Sequence, residues 1–152
     1  MLRIGKMADY ALLLTNHLVN TQDNLCTTED LATATQLPLA TVRKLLKQLV
    51  DAGIVLSQRG AKGGYRLANT PVTFTIADVI SAIEGPIALT QCITTKGACD
   101  LSSSCGMKNN WGYVNQMVAD LFKHITLADM SRSVSERIVD LPSALPDTVA
   151  QG

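Results

Sequence analysis

Apolar residues recur every three or four positions through the first fifty residues, which is the spacing of amphipathic helices. A first helix is predicted over residues 3–20. Its apolar positions are Ile4, Met7, Ala8, Ala11, Leu12, Thr15, Leu18 and Val19. A second helix can be capped by Thr27 or Thr28 and carries Glu29 and Asp30 in its first turn, where the helix dipole favours acids. It is expected to run to about Gln36.

A third helix is predicted from about Ala40 to Ala52. Leu37-Pro38-Leu39 separates it from the second, because the residue before a proline avoids helical torsions. Gly53 suits its C-terminal end. Its expected inward positions are Val42, Leu45, Leu46 and Leu49. Two short helices joined by a tight turn predict a helix-turn-helix.

The period changes after the third helix. Residues 54–58 and 65–68 are strand-like and flank a glycine-rich turn over 59–64, which predicts a β-hairpin. A hairpin directly after such a helix is the wing of a winged helix. Residues 1–85 are therefore predicted to form a winged helix-turn-helix DNA-binding domain, mainly α with a small β-hairpin, whose last helix covers 75–84.

The most regular pattern lies near the end of the chain. Apolar residues with gaps of three and four form a heptad pattern, which is typical of paired helices: Trp111, Val114, Val118, Leu121 and Ile125. A core-facing helix in a monomer would show the same pattern. Because the segment lies beyond the DNA-binding unit, a dimerisation helix is favoured, assigned to 107–132 with homodimer pairing through 107–125. Residues 133–152 are expected to form a disordered tail.

Charge restricts the partners further. The 152 residues have a formal net charge of zero. Between Leu37 and Thr70, however, six basic residues stand against one acid, so this segment carries +5 (six minus one) and the rest −5 (seven minus twelve). A locally basic unit suits a polyanion, although a solvated surface would look the same. No apolar run is long enough for a membrane span or resembles a secretion signal, so a cytoplasmic protein is expected.

The residues expected to contact DNA lie in this basic segment and just before it. On the third helix they are Ala40, Thr41, Arg43, Lys44 and Lys47. Arg43 can recognise guanine through two hydrogen bonds, or can contact phosphate only, and the lysines favour phosphate. Thr28 places a helix N-terminus toward the DNA backbone. In the wing, Arg59 is expected to enter the minor groove and Lys62 to contact phosphate.

Three of the four cysteines, Cys92, Cys99 and Cys105, fall within fourteen residues in a predicted loop over 86–106. In a reducing compartment such a group favours a metal site or a redox device over disulfides. Gaps of six and five residues do not match the close pairs of structural zinc sites. Thiolates are soft ligands that suit iron–sulfur clusters. Zinc, redox thiols and structural cysteines stay open as alternatives.

Four segments together resemble the IscR/NsrR family of winged-helix transcription regulators (the Rrf-two family), with the greatest likeness to the branch that regulates the SUF iron–sulfur assembly operon. They are residues 7–12, the wing 59–68, the cysteine loop Cys92-x6-Cys99-x5-Cys105 and residues 125–130. The resemblance spans about residues 1–132. It implies a cytosolic dimer whose DNA affinity is controlled by an iron–sulfur cluster, either [2Fe–2S] or [4Fe–4S].

Three cysteines leave one position of such a cluster open. Some relatives place a histidine three residues after the last cysteine, but Lys108 stands there and cannot ligate while protonated. Others use an acidic residue of the partner's first helix, and Asp9 occupies the matching position. The resemblance therefore implies Asp9 as the fourth ligand, in trans. A surface carboxylate is the alternative reading of Asp9, and His17 is a weaker candidate ligand.

These features predict a dimeric regulator that binds a near-palindromic operator under the control of an iron–sulfur cluster. A cluster-free regulator that senses oxidants through its thiols is the alternative. An iron–sulfur carrier is disfavoured, because a carrier needs no basic helix and wing. The chain has no Ser/His/Asp set, no histidine near the cysteine cluster and no phosphate loop leading from strand to helix, so it is not expected to be an enzyme.

Overall fold

The structure is a computed structural model that describes residues 3–21, 24–60, 62–90, 93 and 105–132. The helices are α1 (Lys6–Asn20), α2 (Thr28–Thr35), α3 (Leu39–Asp51), α4 (Ile76–Glu84), α5 (Lys108–His124) and α6 (Leu127–Ser131). Strands β1 (Val55–Gln58) and β2 (Gly64–Leu67) form an antiparallel hairpin, and a 3-10 turn covers Pro71–Thr73. The predicted fold class, mainly α with one small hairpin, is confirmed.

The helix-turn-helix is formed by α2 and α3. A capping box begins α2, in which the Thr27 hydroxyl accepts from the Asp30 amide at 3.1 Å and the Asp30 carboxylate accepts from the Thr27 amide at 3.0 Å. Gln36 takes a left-handed conformation (φ 56°) and ends the helix. Both ends of α3 lie within one residue of the predicted bounds.

The core lies between α1, α3 and the hairpin. The predicted inward face of α3, Val42, Leu45, Leu46 and Leu49, is fully buried. On α1 the prediction holds less well. Ile4 precedes the helix and is 42% exposed, whereas Leu14, which the pattern did not single out, is fully buried. Three consecutive leucines at 12–14 do not show by themselves which one faces the core.

The wing is held to the core by close backbone contacts. Val55 to Gln58 pair with Leu67 to Gly64. Cys26 adds a short bridge to Tyr65, with backbone N···O distances of 3.0 and 2.8 Å. A Cβ at Gly64 would lie 2.8 Å from the Cys26 carbonyl oxygen, so glycine is required for this approach. The hairpin is thereby fixed beside the start of α2.

The segment assigned to one dimerisation helix, 107–132, contains two helices. Helix α5 ends at His124, and Thr126 forms a bridge with Thr75. Thr126 also forms a capping box with Asp129 that starts α6. Leu127 is 1% exposed and belongs to the core, which brings α6 back onto the winged helix. The prediction of one helix over 107–132 is therefore corrected to two helices, and the dimerisation role of the segment stays a prediction. The heptad helix stops because the capping box restarts the chain in a new direction.

Two sequence-based assignments fall largely outside the described residues. The predicted cysteine loop is described only at 86–90, 93 and 105–106, and of the predicted disordered tail, 133–152, nothing is described. Within the described ranges, no helix is both long and apolar enough to span a bilayer.

Candidate nucleic-acid interface and cysteine region

Helix α3 presents a continuous exposed stripe, most of it basic, opposite its buried face. Ala40, Arg43, Lys44 and Lys47 are exposed and stand three, four and seven positions apart, so they share one side of the helix. Thr41 is half-buried at the edge of this stripe. The structure thus brings five of the residues predicted to bind DNA onto one rigid helix. The hydrophobic contacts behind the helix fix its orientation.

An ion pair joins this stripe to α2. Arg43 Nη2 lies 3.4 Å from Glu29 Oε1, and the two side chains are 63% and 66% exposed. Sequence reasoning placed Glu29 in the first turn of α2 but did not pair it with Arg43. The two residues are fourteen positions apart, and only the crossing of α2 over α3 brings them together.

Helix α2 begins at Thr28, which is half-buried. The Thr27 amide donates to the Asp30 carboxylate, and hydrogen bonding from the side chain and the backbone of Thr27 lowers the pKa of that carboxyl. Asp30 thus serves the cap, whereas Glu29 points to Arg43. The two acids of this turn have different roles.

The wing carries its two predicted DNA contacts at the turn. Arg59 and Lys62 are both exposed, and Ala61 between them lies outside the described residues. Gly60 has a φ of 118°, a conformation that favours glycine, and its carbonyl accepts from the Gly63 amide at 2.9 Å. The turn is therefore tight, and it leaves both basic side chains open to solvent.

The cysteine region is described only in part. Cys105 is exposed and lies just before α5, where its carbonyl accepts from the Lys108 amide at 3.4 Å. Cys92 and Cys99 lie outside the described residues. Asp9 is exposed in the first turn of α1. Among the residues with described placement, no three His, Cys, Asp or Glu side chains come together as a metal site. Cys26 is buried in the core and is structural.

The segment that leads to the cysteines is tied to α5 by one amide. Asn115 Nδ2 donates to the Ile87 carbonyl at 3.1 Å, and Asn115 Oδ1 accepts from the Leu89 amide at 2.9 Å. A mostly apolar groove of about 650 Å³ lies alongside, between the end of α4 and the Val118 and Phe122 side chains of α5. The 87–89 segment, which precedes the cysteine loop in the sequence, is thus held directly against α5.

The predicted heptad seam divides between two surfaces. Val118 faces the groove of its own chain, whereas Trp111, Val114 and Leu121 are 41%, 40% and 49% exposed. Met117, 40% exposed, lies among the exposed positions. A row of large apolar side chains is thus left uncovered in the single chain.

Comparisons with known proteins assign the chain to a family. The Rrf2 family model, described as an iron-dependent transcriptional regulator, matches residues 4–133. The chain belongs to the Rrf2 family. This is the family that the four sequence segments resemble, so that expectation is confirmed.

Individual relatives agree with this assignment. The Rrf2 chain is 29% identical over 152 residues to the HTH-type transcriptional regulator IscR of Vibrio cholerae, covering 97% of this chain and 86% of that protein. The structure of T. potens IscR has a TM-score of 0.65 at 26% identity and covers 85% of both chains. CymR, the global cysteine regulator of B. subtilis, has a TM-score of 0.69 at 26% identity and covers 86% of this chain and 97% of its own. The protein is a transcription regulator and not an enzyme.

Proposed function

We propose that this Rrf2 protein binds a near-palindromic operator as a homodimer and that an iron–sulfur cluster controls its affinity, with genes for SUF-type cluster assembly as targets. The observation that carries the DNA-binding part is the exposed stripe of α3, with Arg43, Lys44 and Lys47 on one side of a helix whose other side is buried. In a helix-turn-helix this surface enters the major groove.

Each side chain has a proposed role. Arg43 recognises guanine O6 and N7, and Thr41 contacts a thymine methyl group or a phosphate. Lys44, Lys47 and the start of α2 at Thr28 contact the DNA backbone. Ala40 allows close approach to the base edges, and the wing places Arg59 in the minor groove with Lys62 on phosphate.

The uncovered apolar row of α5 supports the homodimer. Trp111, Val114 and Leu121 follow a heptad spacing and expose apolar surface that a second copy of the helix would cover. A symmetric dimer presents two recognition helices, so the half-sites would lie roughly 34 Å apart, one turn of DNA.

Cys92, Cys99 and Cys105 would hold the cluster, with Asp9 of the partner subunit as fourth ligand. The donor chemistry fits, since Cys105 and Asp9 are exposed and thiolates are preferred ligands of iron–sulfur clusters. The cluster would supply a centre that is sensitive to oxidants and to iron supply. Its gain or loss changes DNA affinity only as far as it favours one arrangement of the dimer over the other.

An anaerobic preparation tests the cluster directly. We expect a coloured protein with bound iron and acid-labile sulfide, and operator affinity that changes when the cluster is removed. Cys105→Ala should abolish the chromophore, Asp9→Ala should alter its spectrum or shorten its lifetime, and Asp51→Ala, another exposed acid, should do neither. A colourless anaerobic protein with DNA affinity indifferent to iron supply would contradict the proposal.

A second function is favoured by the likeness to CymR, which is described as the global cysteine regulator of B. subtilis. In this alternative the three cysteines carry no cluster and act as redox-sensitive thiols. It predicts a colourless protein under anaerobic conditions, a disulfide after peroxide treatment and a change in DNA affinity that a thiol reductant reverses. The same preparation therefore distinguishes the two.

A further inference from the structure

The ion pair between Glu29 and Arg43 joins the two helices of the helix-turn-helix on the side that carries the basic stripe. We propose that Glu29 is a specificity-determining residue that positions the Arg43 guanidinium for a base edge and weakens binding to duplexes that lack the matching base. The inference rests on the proposed DNA-binding function and deepens it.

Both partners stand on firmly held backbone. Glu29 is the second residue of α2, whose first turn is fixed by the two hydrogen bonds between Thr27 and Asp30. Arg43 lies in α3 between Val42 and Leu46, which are both fully buried and anchor the helix to the core. The 3.4 Å contact from Glu29 Oε1 to Arg43 Nη2 therefore defines where the guanidinium points.

The chemistry of the pair leaves Arg43 able to bind a base. A guanidinium has five N–H donors in a planar fork, and a contact at Nη2 uses one part of it. The remaining donors can reach the O6 and N7 atoms of guanine, the most frequent specific contact of arginine with DNA. Since the carboxylate already restricts the long side chain, less rotamer entropy is lost when the base is bound.

The same carboxylate acts against binding to the wrong duplex. An unpaired arginine contacts phosphate through its charge, which any sequence offers. Glu29 partly neutralises that charge and places an acid close to the phosphates. Only a base that accepts hydrogen bonds from the oriented Arg43 donors compensates for this repulsion between the carboxylate and the phosphates. The repulsion therefore increases the specificity of binding.

The pair contributes little to folding, and that makes the proposal testable. Its side chains are 63% and 66% exposed, and exposed ion pairs contribute little to stability. Glu29→Gln keeps the size of the side chain and should leave the thermal midpoint nearly unchanged. Effects on DNA binding then report on Arg43 and not on the fold.

The experiment uses the full-length protein, purified without air, and two probes. One is a duplex that the wild-type protein selects from a random library, and the other is an unrelated duplex of equal length. We expect Glu29→Gln to bind the unrelated duplex several-fold more tightly and to gain less on the selected one. The ratio of the two dissociation constants should fall by roughly three- to tenfold.

Two controls isolate the mechanism. Asp51→Asn removes the same charge from the far end of α3, where the residue is also exposed, and should leave the ratio unchanged. In an Arg43→Gln background, Glu29→Gln should no longer change the ratio, since coupled residues are not additive. The proposal is overturned if Glu29→Gln shifts both duplexes equally, or if its effect persists without Arg43.

The outcomes also separate this inference from the function on which it rests. If the wild-type protein selects no sequence from the library, the proposed function fails and the inference with it. If it selects a sequence and Glu29→Gln leaves the ratio intact, only the role of Glu29 fails.

Discussion

Arg43 and Lys47 stand one helical turn apart on the exposed stripe of α3, yet we expect different roles for them. Arg43→Ala should cost about 1–3 kcal/mol of binding free energy and relax the base preference, because a bidentate contact is lost. Lys47→Ala should weaken all duplexes alike and reduce the salt dependence by about one unit of slope. Titrations of selected and unrelated duplexes at several salt concentrations distinguish the two. Intact preference in Arg43→Ala would contradict the placement of this arginine.

Close packing in the wing turn leaves room only for glycine at position 63. A Cβ there would lie 2.3 Å from the Gln58 carbonyl oxygen and 2.9 Å from that of Gly60, and backbone atoms in a tight turn do not yield easily. We expect Gly63→Ala to lower the free energy of unfolding by about 1–3 kcal/mol through overpacking, as measured by urea denaturation of the apo protein.

Gly106→Ala is the matched control for this prediction. An added Cβ at Gly106 meets nothing within 4 Å, so the same substitution should leave the stability close to that of the wild type. A loss at Gly63 as small as that at Gly106 would contradict the prediction and would mean that the wing turn relaxes around the methyl group.

At the residue scale, the sequence predicts which side chains are exposed for binding more readily than which residues they contact. The stripe Arg43, Lys44 and Lys47 follows from helical periodicity, and the structure places it as expected. The Glu29 contact does not follow, since it depends on how two helices cross. The glycine pattern predicted the wing, but the Gly64 contact with Cys26 depends on a bridge between distant segments.

At the scale of elements, a Thr-x-x-Asp capping box recurs at the start of three helices. It begins α2 at Thr27, α4 at Thr75 and α6 at Thr126. The third of these ends the heptad segment and returns the chain to the core. This capping box is the signal in the sequence that separates residues 107–132 into two helices.

The capping box of α6 gives a prediction at this scale. The Thr126 hydroxyl donates to Asp129 Oδ2 at 2.6 Å and accepts from the Asp129 amide at 3.1 Å. Thr126→Ala removes both bonds and should cost about 1 kcal/mol of stability. The control is Thr33→Ala in α2, whose exposed hydroxyl bonds only to the Glu29 carbonyl of its own helix and should cost less. A lower urea midpoint with an unchanged slope checks the prediction, and equal midpoints for the two variants would contradict it.

At the scale of the whole molecule, periodicity predicts α5 but not which surface each residue serves. Val118 has the same heptad spacing as Val114, yet it faces the groove next to α4 while Val114 stays 40% exposed. A seam of alternating three- and four-residue gaps is a narrow stripe, so the spacing alone does not distinguish a member that packs within the chain from one that stays exposed. Assignment of the exposed members to a partner depends on the arrangement of α4 and the 85–89 segment, which local sequence does not encode.

Val114 provides the sharpest test of the dimer. Its exposed side chain lies in the uncovered apolar row with Leu121, and a carboxylate there would have to be buried against the partner helix, at a high desolvation cost. We expect Val114→Asp to give a monomer by light scattering at micromolar concentration and to bind operator DNA at least tenfold more weakly, because two linked recognition helices raise each other's effective concentration.

The control is Asn109→Asp, which introduces the same charge at an exposed position five residues earlier on α5. At 100° per residue, position 109 lies about 140° from position 114, away from the apolar row. This variant should remain dimeric and bind DNA as the wild type does, since its added acid stays in solvent and lies near the helix N-terminus, where the dipole favours it. If both variants dissociate, the charge of α5 and not its apolar face governs association. If Val114→Asp stays dimeric, the two chains pair through another surface, and the spacing of the two α3 helices on DNA is set elsewhere.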